Sequence, residues 1–327
     1  MKKTLTLQLL ICLTFYSFAE DAVKATTEKG PKIKIARLVS VPAIRRSYPN
    51  GLTTLLDKMN KMTNMNFDAQ PAIITSFENE NLFKYPFLYI NYIDRENWKL
   101  SLKERDNLKK YLERGGFIFI DAGINSSFLR KNKRHGQSHS FAEWKITPEL
   151  KTEFENIFPR KEFEPLKNSH EIFKSFYQGL PDPKILPDSV RDYVINEKWP
   201  DGSYSTVALT VNNRIAVIAT PIIGMGWGKD RLGQWITNIS FRVRESEEGL
   251  SDSLKTASYS GERFEATRKD GRIDALYCQS DARPEWAEEA DGNWRIFKYY
   301  TTKEISDYAH QYFTRLGVNI ITYALSH

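Results

Sequence analysis

The sequence predicts an α/β fold of three layers, with a mostly parallel sheet between helices. Three observations carry that prediction. Leu52, Leu55, Leu56, Met59 and Met62 recur at the i, i+3, i+4, i+7 spacing of a core-facing helix. Residues 85–91, YPFLYIN, form an apolar run of strand length. Residues 101–121, SLKERDNLKKYLERGGFIFID, read as a capped amphipathic helix, a Gly-Gly break, an apolar strand and then a carboxylate. A continuous apolar strand after a helix belongs to a parallel sheet covered on both faces. Ligands of such sheets bind beyond the carboxyl ends of the strands. Asp121 falls at such an end.

The elements follow in order. Lys2 and Lys3, an apolar run over residues 5–18 and the small-x-small triplet Ser17-Phe18-Ala19 predict a secretory signal peptide over residues 1–19, cleaved after Ala19. Its removal leaves 308 of 327 residues, with 45 basic against 41 acidic side chains, a balance of +4. That balance is too mild for a nucleic-acid footprint. No later run reaches the roughly eighteen apolar residues of a membrane span. The expectation is a periplasmic or secreted protein. Cys12 leaves with the signal, so Cys278 has no partner for an internal disulfide.

Residues 20–30 read as a polar linker, and residues 31–327 as one α/β domain. Ile33, Ile35 and Leu38 begin its first strand, and Asn50-Gly51 precedes the Leu52–Met62 stripe. Short apolar runs at 72–74 and 86–90 supply two more strands. Ser101 and Glu104 have the spacing of a capping box, Leu108 and Leu112 face the core, and Gly115 suits a left-handed cap before the strand at 117–120. Residues 130–146 look like a basic loop insertion. Thr147-Pro148-Glu149 then opens a helix with a stripe at Leu150, Phe154, Ile157 and Phe158. Asn212-Asn213 between runs at 204–211 and 214–220 predicts a hairpin. Residues 246–272 read as an exposed loop, and 304–325 as a closing helix interrupted near Gly317.

Six segments then resemble a known family: YPFLYIN, LKKYLERGGFIFIDAG, FENIFPRKEFEPL, SHEIFKSFY, NRIAVIA and RLGVNIITYAL occur in the order characteristic of the domain of unknown function 4159. The resemblance runs from about Ile33 to the C-terminus. It implies a fold similar to class I glutamine amidotransferases, which is flavodoxin-like, and a role in bacterial envelope assembly or maintenance. The chain departs from the family pattern twice. Asp121 is followed by Ala122 where a second acid is usual, and Ser169-His170-Glu171 replaces Asp-His-Pro.

An amidotransferase needs a cysteine on the turn after its strand. The turn here is Asp-Ala-Gly-Ile-Asn-Ser-Ser, and Cys278 stands far along the chain. Glutamine hydrolysis is therefore not expected. Asp121, Arg130, His170 and Trp227 are the residues expected to line the strand edge. Asp121 would supply charge or cap its own turn, and Arg130 would contact an anion or stand solvated in the insertion. His170 would face a ligand or be hydrogen-bonded at a helix start. Trp227, within Gly-Met-Gly-Trp-Gly-Lys-Asp, would present an exposed or half-buried ring. That loop lacks the glycine and hydroxyl of a phosphate-binding loop.

Ser126 or Ser127 with His170 and Asp121 would form a hydrolytic triad, against turn chemistry as the alternative. Asp121 and His170 alone would be the acid and base of a hydrolase acting on an envelope glycan or ester. His135, His139 and Glu143 have metal-ligand spacing, in a segment too rich in Gly and Ser for a good helix. The reading these features favour is a non-catalytic module without cofactor, binding an envelope protein or a small-molecule or glycan ligand. A periplasmic sugar-binding protein is the third alternative.

Overall fold

The computed structural model describes residues 29–327 except 127–143, 168, 193, 196–205, 230–231, 236, 238, 247–261, 268–270 and 279–283. The predicted signal peptide and most of the 130–146 insertion lie outside the described residues.

The architecture is mixed α/β around a seven-stranded, mostly parallel sheet. Five strands run parallel: β1 (Ala36–Leu38), β2 (Ala72–Ile74), β3 (Phe87–Asn91), β4 (Phe117–Asp121) and β9 (Arg214–Ala219). Beyond β9 lie β8 (Val207–Val211) and β7 (Glu164–Pro165), each antiparallel to its neighbour, giving the order β2-β1-β3-β4-β9-β8-β7. A small antiparallel pair, β5 (Ile124–Ser126) and β6 (Trp144–Ile146), leads out of β4.

The strand side chains alternate between two separate cores. Phe87, Tyr89, Phe117 and Phe119 pack with α1 (Gly51–Met62) and the C-terminal helix. Leu88, Ile90, Ile118 and Ile120 pack on the other face with α2 (Leu102–Glu113) and α3 (Pro148–Ile157). With both faces covered, β3 and β4 are buried at every position, which is why they read as unbroken apolar runs. Ser101 caps α2 in a complete capping box, and Gly115 takes φ 105° between α2 and β4. Asn212 and Asn213, at φ 51° and 61°, make the primed turn that joins β8 to β9.

Two expectations need correction. The final helix, α5 (Lys303–Ser326; the short helix Asp188–Asp192 is α4), runs without interruption. Gly317 is there for clearance, because a Cβ would stand 2.8 Å from the Trp227 ring and 2.9 Å from Leu55. The second correction is a five-stranded antiparallel sheet in the order β10-β14-β13-β12-β11, where an exposed loop was expected in part. Its strands are β10 (Phe241–Ser246), β11 (Glu262–Thr267), β12 (Ile273–Cys278), β13 (Pro284–Glu288) and β14 (Trp294–Tyr300). Phe241 and Val243 tie it to the core beneath α5. β11 carries few apolar residues, and Arg263 and Glu265 are solvent-exposed, so its sequence resembles a polar loop.

Candidate functional site

The parallel strands β1, β3 and β4 end together, and a polar cluster lies where they end. Asn91 closes β3 and Asp121 closes β4, opposite each other in the ladder. The Asp121 side chain is wholly buried. Its Oδ1 accepts from the Ile223 N–H at 2.7 Å. Its Oδ2 accepts from the Gly224 N–H at 3.0 Å, the Tyr89 hydroxyl at 2.8 Å and the Asn91 amide at 3.1 Å. Burial pushes the carboxyl up to about 6, although the Ile223 and Gly224 N–H groups and the Tyr89 hydroxyl pull it down. The Tyr89 phenol is pushed well up in turn, first by burial and then by the Asp121 charge.

Gly224 permits this arrangement. A Cβ there would stand 2.6 Å from Asp121 Oδ2 and 2.7 Å from the Tyr89 oxygen. The glycine-rich loop after β9 therefore brings its backbone onto a carboxylate of its own chain. It folds as a 3-10 turn over Gly224–Gly226, and His310 of α5 holds it from behind. The His310 ring nitrogens lie 2.8 Å from the Gly226 oxygen and 3.0 Å from the Thr237 oxygen.

A second buried cluster closes the neighbouring strand end. Arg37 on β1 forms an ion pair with Asp94, both almost wholly buried. Arg37 also donates to the Ser47 oxygen at 2.6 Å and the Pro49 oxygen at 3.2 Å, while Asp94 accepts from the Ser47 N–H at 2.7 Å. Strand order reverses between β1 and β3, the place where doubly wound sheets open a crevice. Here the chain's own loops are pinned against that place.

Ala122, directly after Asp121, adopts φ 59°. A left-handed backbone is uncommon for a residue with a Cβ, and strained strand-end turns of this kind are where nucleophilic side chains are presented. The Ala122 side chain is a methyl group and offers no nucleophile.

Among the described residues, the expected site residues Asp121, His170 and Trp227 do not converge. Trp227 is buried, not solvent-facing: its indole N–H donates to the Phe313 oxygen at 2.9 Å, and its ring packs on Tyr89 and Phe119. A core position leaves it no face for a sugar. His170 caps a 3-10 turn, its Nδ1 accepting from the Ile172 N–H at 3.2 Å, and its ring packs edge-on against Tyr323 near the end of α5. Tyr323 lies ten positions, about 15 Å of helix, beyond the Phe313 that backs the Asp121 loop. It also feels the charge of Arg214, which starts β9 and donates to the Gly116 oxygen before β4. His170 thus sits toward the amino end of the sheet, opposite Asp121. The two do not form an acid–base pair, and with them falls the triad.

Ser126 pairs with Trp144 in the β5–β6 ladder. Ser127, Arg130, His135, His139 and Glu143 lie outside the described residues. Among the described residues no group of three or more His, Cys, Asp or Glu side chains stands as a metal site.

Sequence reasoning passed over Arg37, Tyr89, Asn91 and Asp94. Tyr89 and Asn91 are the polar groups inside YPFLYIN, and a buried strand that carries hydroxyl and amide groups must satisfy them. Arg37 in a three-residue buried strand likewise demands a partner. It also passed over Trp235, which stacks on His310 at 3.8 Å between ring centroids and 4° between planes. The Lys229 ammonium stands 4.2 Å above the same indole.

Residues 34–325 match the domain of unknown function DUF4159. The chain belongs to that family. The match takes in every element of both sheets, so the antiparallel sheet is part of this DUF4159 chain's matched region and not an appendage to it. No curated protein matches the sequence. Among the described residues of this DUF4159 protein no helix is long and apolar enough to cross a membrane.

Proposed function

We propose that this DUF4159 protein is a non-catalytic binding module of the bacterial envelope. It is exported by its N-terminal signal and recognises a protein or small-molecule partner at the carboxyl end of its sheet. The observation that carries this reading is the state of the β4 terminus. The left-handed turn bears only the methyl of Ala122, and the one acid beside it is buried under four hydrogen-bond donors. A general acid or base must reach its substrate, and a buried carboxylate committed to backbone and phenol donors does not.

The parallel strands support the flavodoxin-like assignment, of the class I glutamine-amidotransferase kind. In order of appearance they run 2-1-3-4-5, the doubly wound order in which the crevice opens at the β1/β3 switch. In this reading Asp121 is a staple. It holds the Gly224–Gly226 turn, and through it the exposed rim carrying Lys229 and Trp235, in one conformation.

The test compares the mature wild-type protein with Asp121→Asn, which keeps the side chain's shape. Cross-linked co-purification from the native envelope should recover a stoichiometric partner with wild type, or a thermal-shift screen should find a stabilising ligand. Asp121→Asn should weaken either. Neither protein should turn over envelope glycans or esters. Hydrolysis lost in Asp121→Asn or His170→Ala would overturn the reading in favour of an enzyme.

A further inference from the structure

Beside the stapled loop, α1 and α5 part to leave a cavity of about 340 Å³. That is within the range of small-ligand sites, roughly 300–1,000 Å³. Its walls carry Lys58 and Lys61 from α1, Lys229 and Trp235 from the loop after β9, and Gln311 and Thr314 from α5. We propose that this cleft binds an anionic group, a phosphate or carboxylate borne by a small ligand or by the end of an acidic glycan. The proposal rests on the reading of the protein as a binding module and gives that module its ligand class.

Charge is the first argument. Lys58, Lys61 and Lys229 line one space, and Asp57 is the only carboxylate among the described residues of its wall. Burial first, then repulsion from Lys229 and Arg315, lowers the pKa of Lys58. Like charges gathered around a partly enclosed volume repel one another, and an anion placed among them relieves that repulsion.

Preorganisation is the second argument. Lys229 is not a free tether, because its ammonium lies 4.2 Å over the Trp235 ring. The opposite face of that indole is stacked on His310, whose ring nitrogens contact the carbonyls of Gly226 and Thr237. The cation therefore stands on a platform of two rings anchored to α5 and to the loop that Asp121 holds. A cation fixed in this way loses little conformational freedom when it meets an anion. Both faces of Trp235 are already used, so the cleft is built for charge and hydrogen bonding and not for stacking a sugar ring. Gln311 and Thr314 lie on one face of α5, three residues apart, and offer neutral hydrogen-bonding groups beside the lysines.

The experiment uses the mature chain at low ionic strength, with inorganic phosphate and glucuronate as probes and glucose as the uncharged control. Binding is read by calorimetry and by the rise in Tm. Saturable binding of at least one anion, none of glucose, and weakening on added salt are expected. Lys58→Met and Lys229→Met keep the apolar stems, should remain cooperatively folded without ligand, and should each weaken anion binding by about tenfold. As a second readout, the Lys58 amine should acylate faster than Lys61 and be protected by the bound anion. A preference for phosphate over glucuronate, or the reverse, assigns the source. Absence of anion binding in wild type, or equal binding in both variants, overturns the proposal. If an envelope partner is still recovered equally by wild type and Lys58→Met, the cleft proposal falls while the module reading stands.

Discussion

Asp121 makes a prediction against the usual behaviour of acids. Most carboxylates in folded proteins are stabilised as anions, and acid removes that stability. Asp121 is the reverse, because burial raises its pKa to about 6, against about 3.9 in an unfolded chain. The folded state therefore binds this proton more tightly than the unfolded state. The stability linked to it is fully present below the unfolded value and is lost as pH rises through about 6. Integrated from about pH 7.5 down to about pH 5, the gain is about 1.4 kcal/mol, which corresponds to a rise of about 2 °C in Tm for a chain of this size. The perturbation that isolates it is Asp121→Asn, which cannot titrate.

Two histidines push the other way in both proteins. His170 and His310 have pKa values lowered chiefly by burial, so each costs stability as pH falls through the ordinary histidine range. The comparison cancels them. Thermal unfolding of both proteins across this range should show wild type gaining on Asp121→Asn by about 1.4 kcal/mol as pH falls. Asp121→Asn should also be less stable at every pH, since its amide turns a donor toward the four donors that now converge there. Parallel pH profiles would refute the reasoning, and so would wild type losing ground to the variant on acidification.

Three further perturbations have outcomes set by the structure. Gly317→Ala improves helix propensity by about 1 kcal/mol but overpacks the Trp227 contact, a cost of about 1–3 kcal/mol, so a net loss near 1 kcal/mol should appear as a lower urea midpoint at unchanged slope. A more stable variant would mean that Trp227 has room to shift. Arg37→Met leaves Asp94 charged and buried and should cost about 3–5 kcal/mol in chemical denaturation. Adding Asp94→Leu should recover part of that loss, and strict additivity would remove the ion pair from the account. Ser101→Ala should cost about 1 kcal/mol, because it removes the oxygen that accepts from the Glu104 N–H, while Ser101→Gly should cost only a few tenths, because glycine takes up the N-cap backbone freely and leaves the first-turn amides open to water. No loss in Ser101→Ala would show that the cap does not stabilise α2.

Local chemistry was legible where the cause is local. The α2 cap, the left-handed Gly115, the Asn212-Asn213 turn and the periodic stripe of α1 depend on residues a few positions apart, and the structure contains each of them. β3 and β4 were legible for a different reason: burial on both faces leaves room only for apolar side chains, and that constraint is written as an unbroken run. The antiparallel sheet β10–β14 was not legible. β11 does alternate, with Phe264 and Ala266 falling after the exposed Arg263 and Glu265, but two apolar residues in a six-residue strand are too short a pattern to stand out from a polar loop.

The sequence by itself determined the four long helices, the central parallel strands and the place of an aspartate at a strand end. Whether that aspartate met water was decided only by tertiary structure, since the two N–H groups that cover it come from Ile223 and Gly224, about a hundred residues away. The separation of His170 from Asp121 was likewise decided by the course of α5, whose two halves back opposite ends of the sheet. The same packing took Trp227 into the core and left Trp235 and Lys229 on the rim. Local sequence sets which conformations a segment prefers. Long-range packing sets which side chains lose their water, and the chemistry of a carboxylate or an indole depends on that loss.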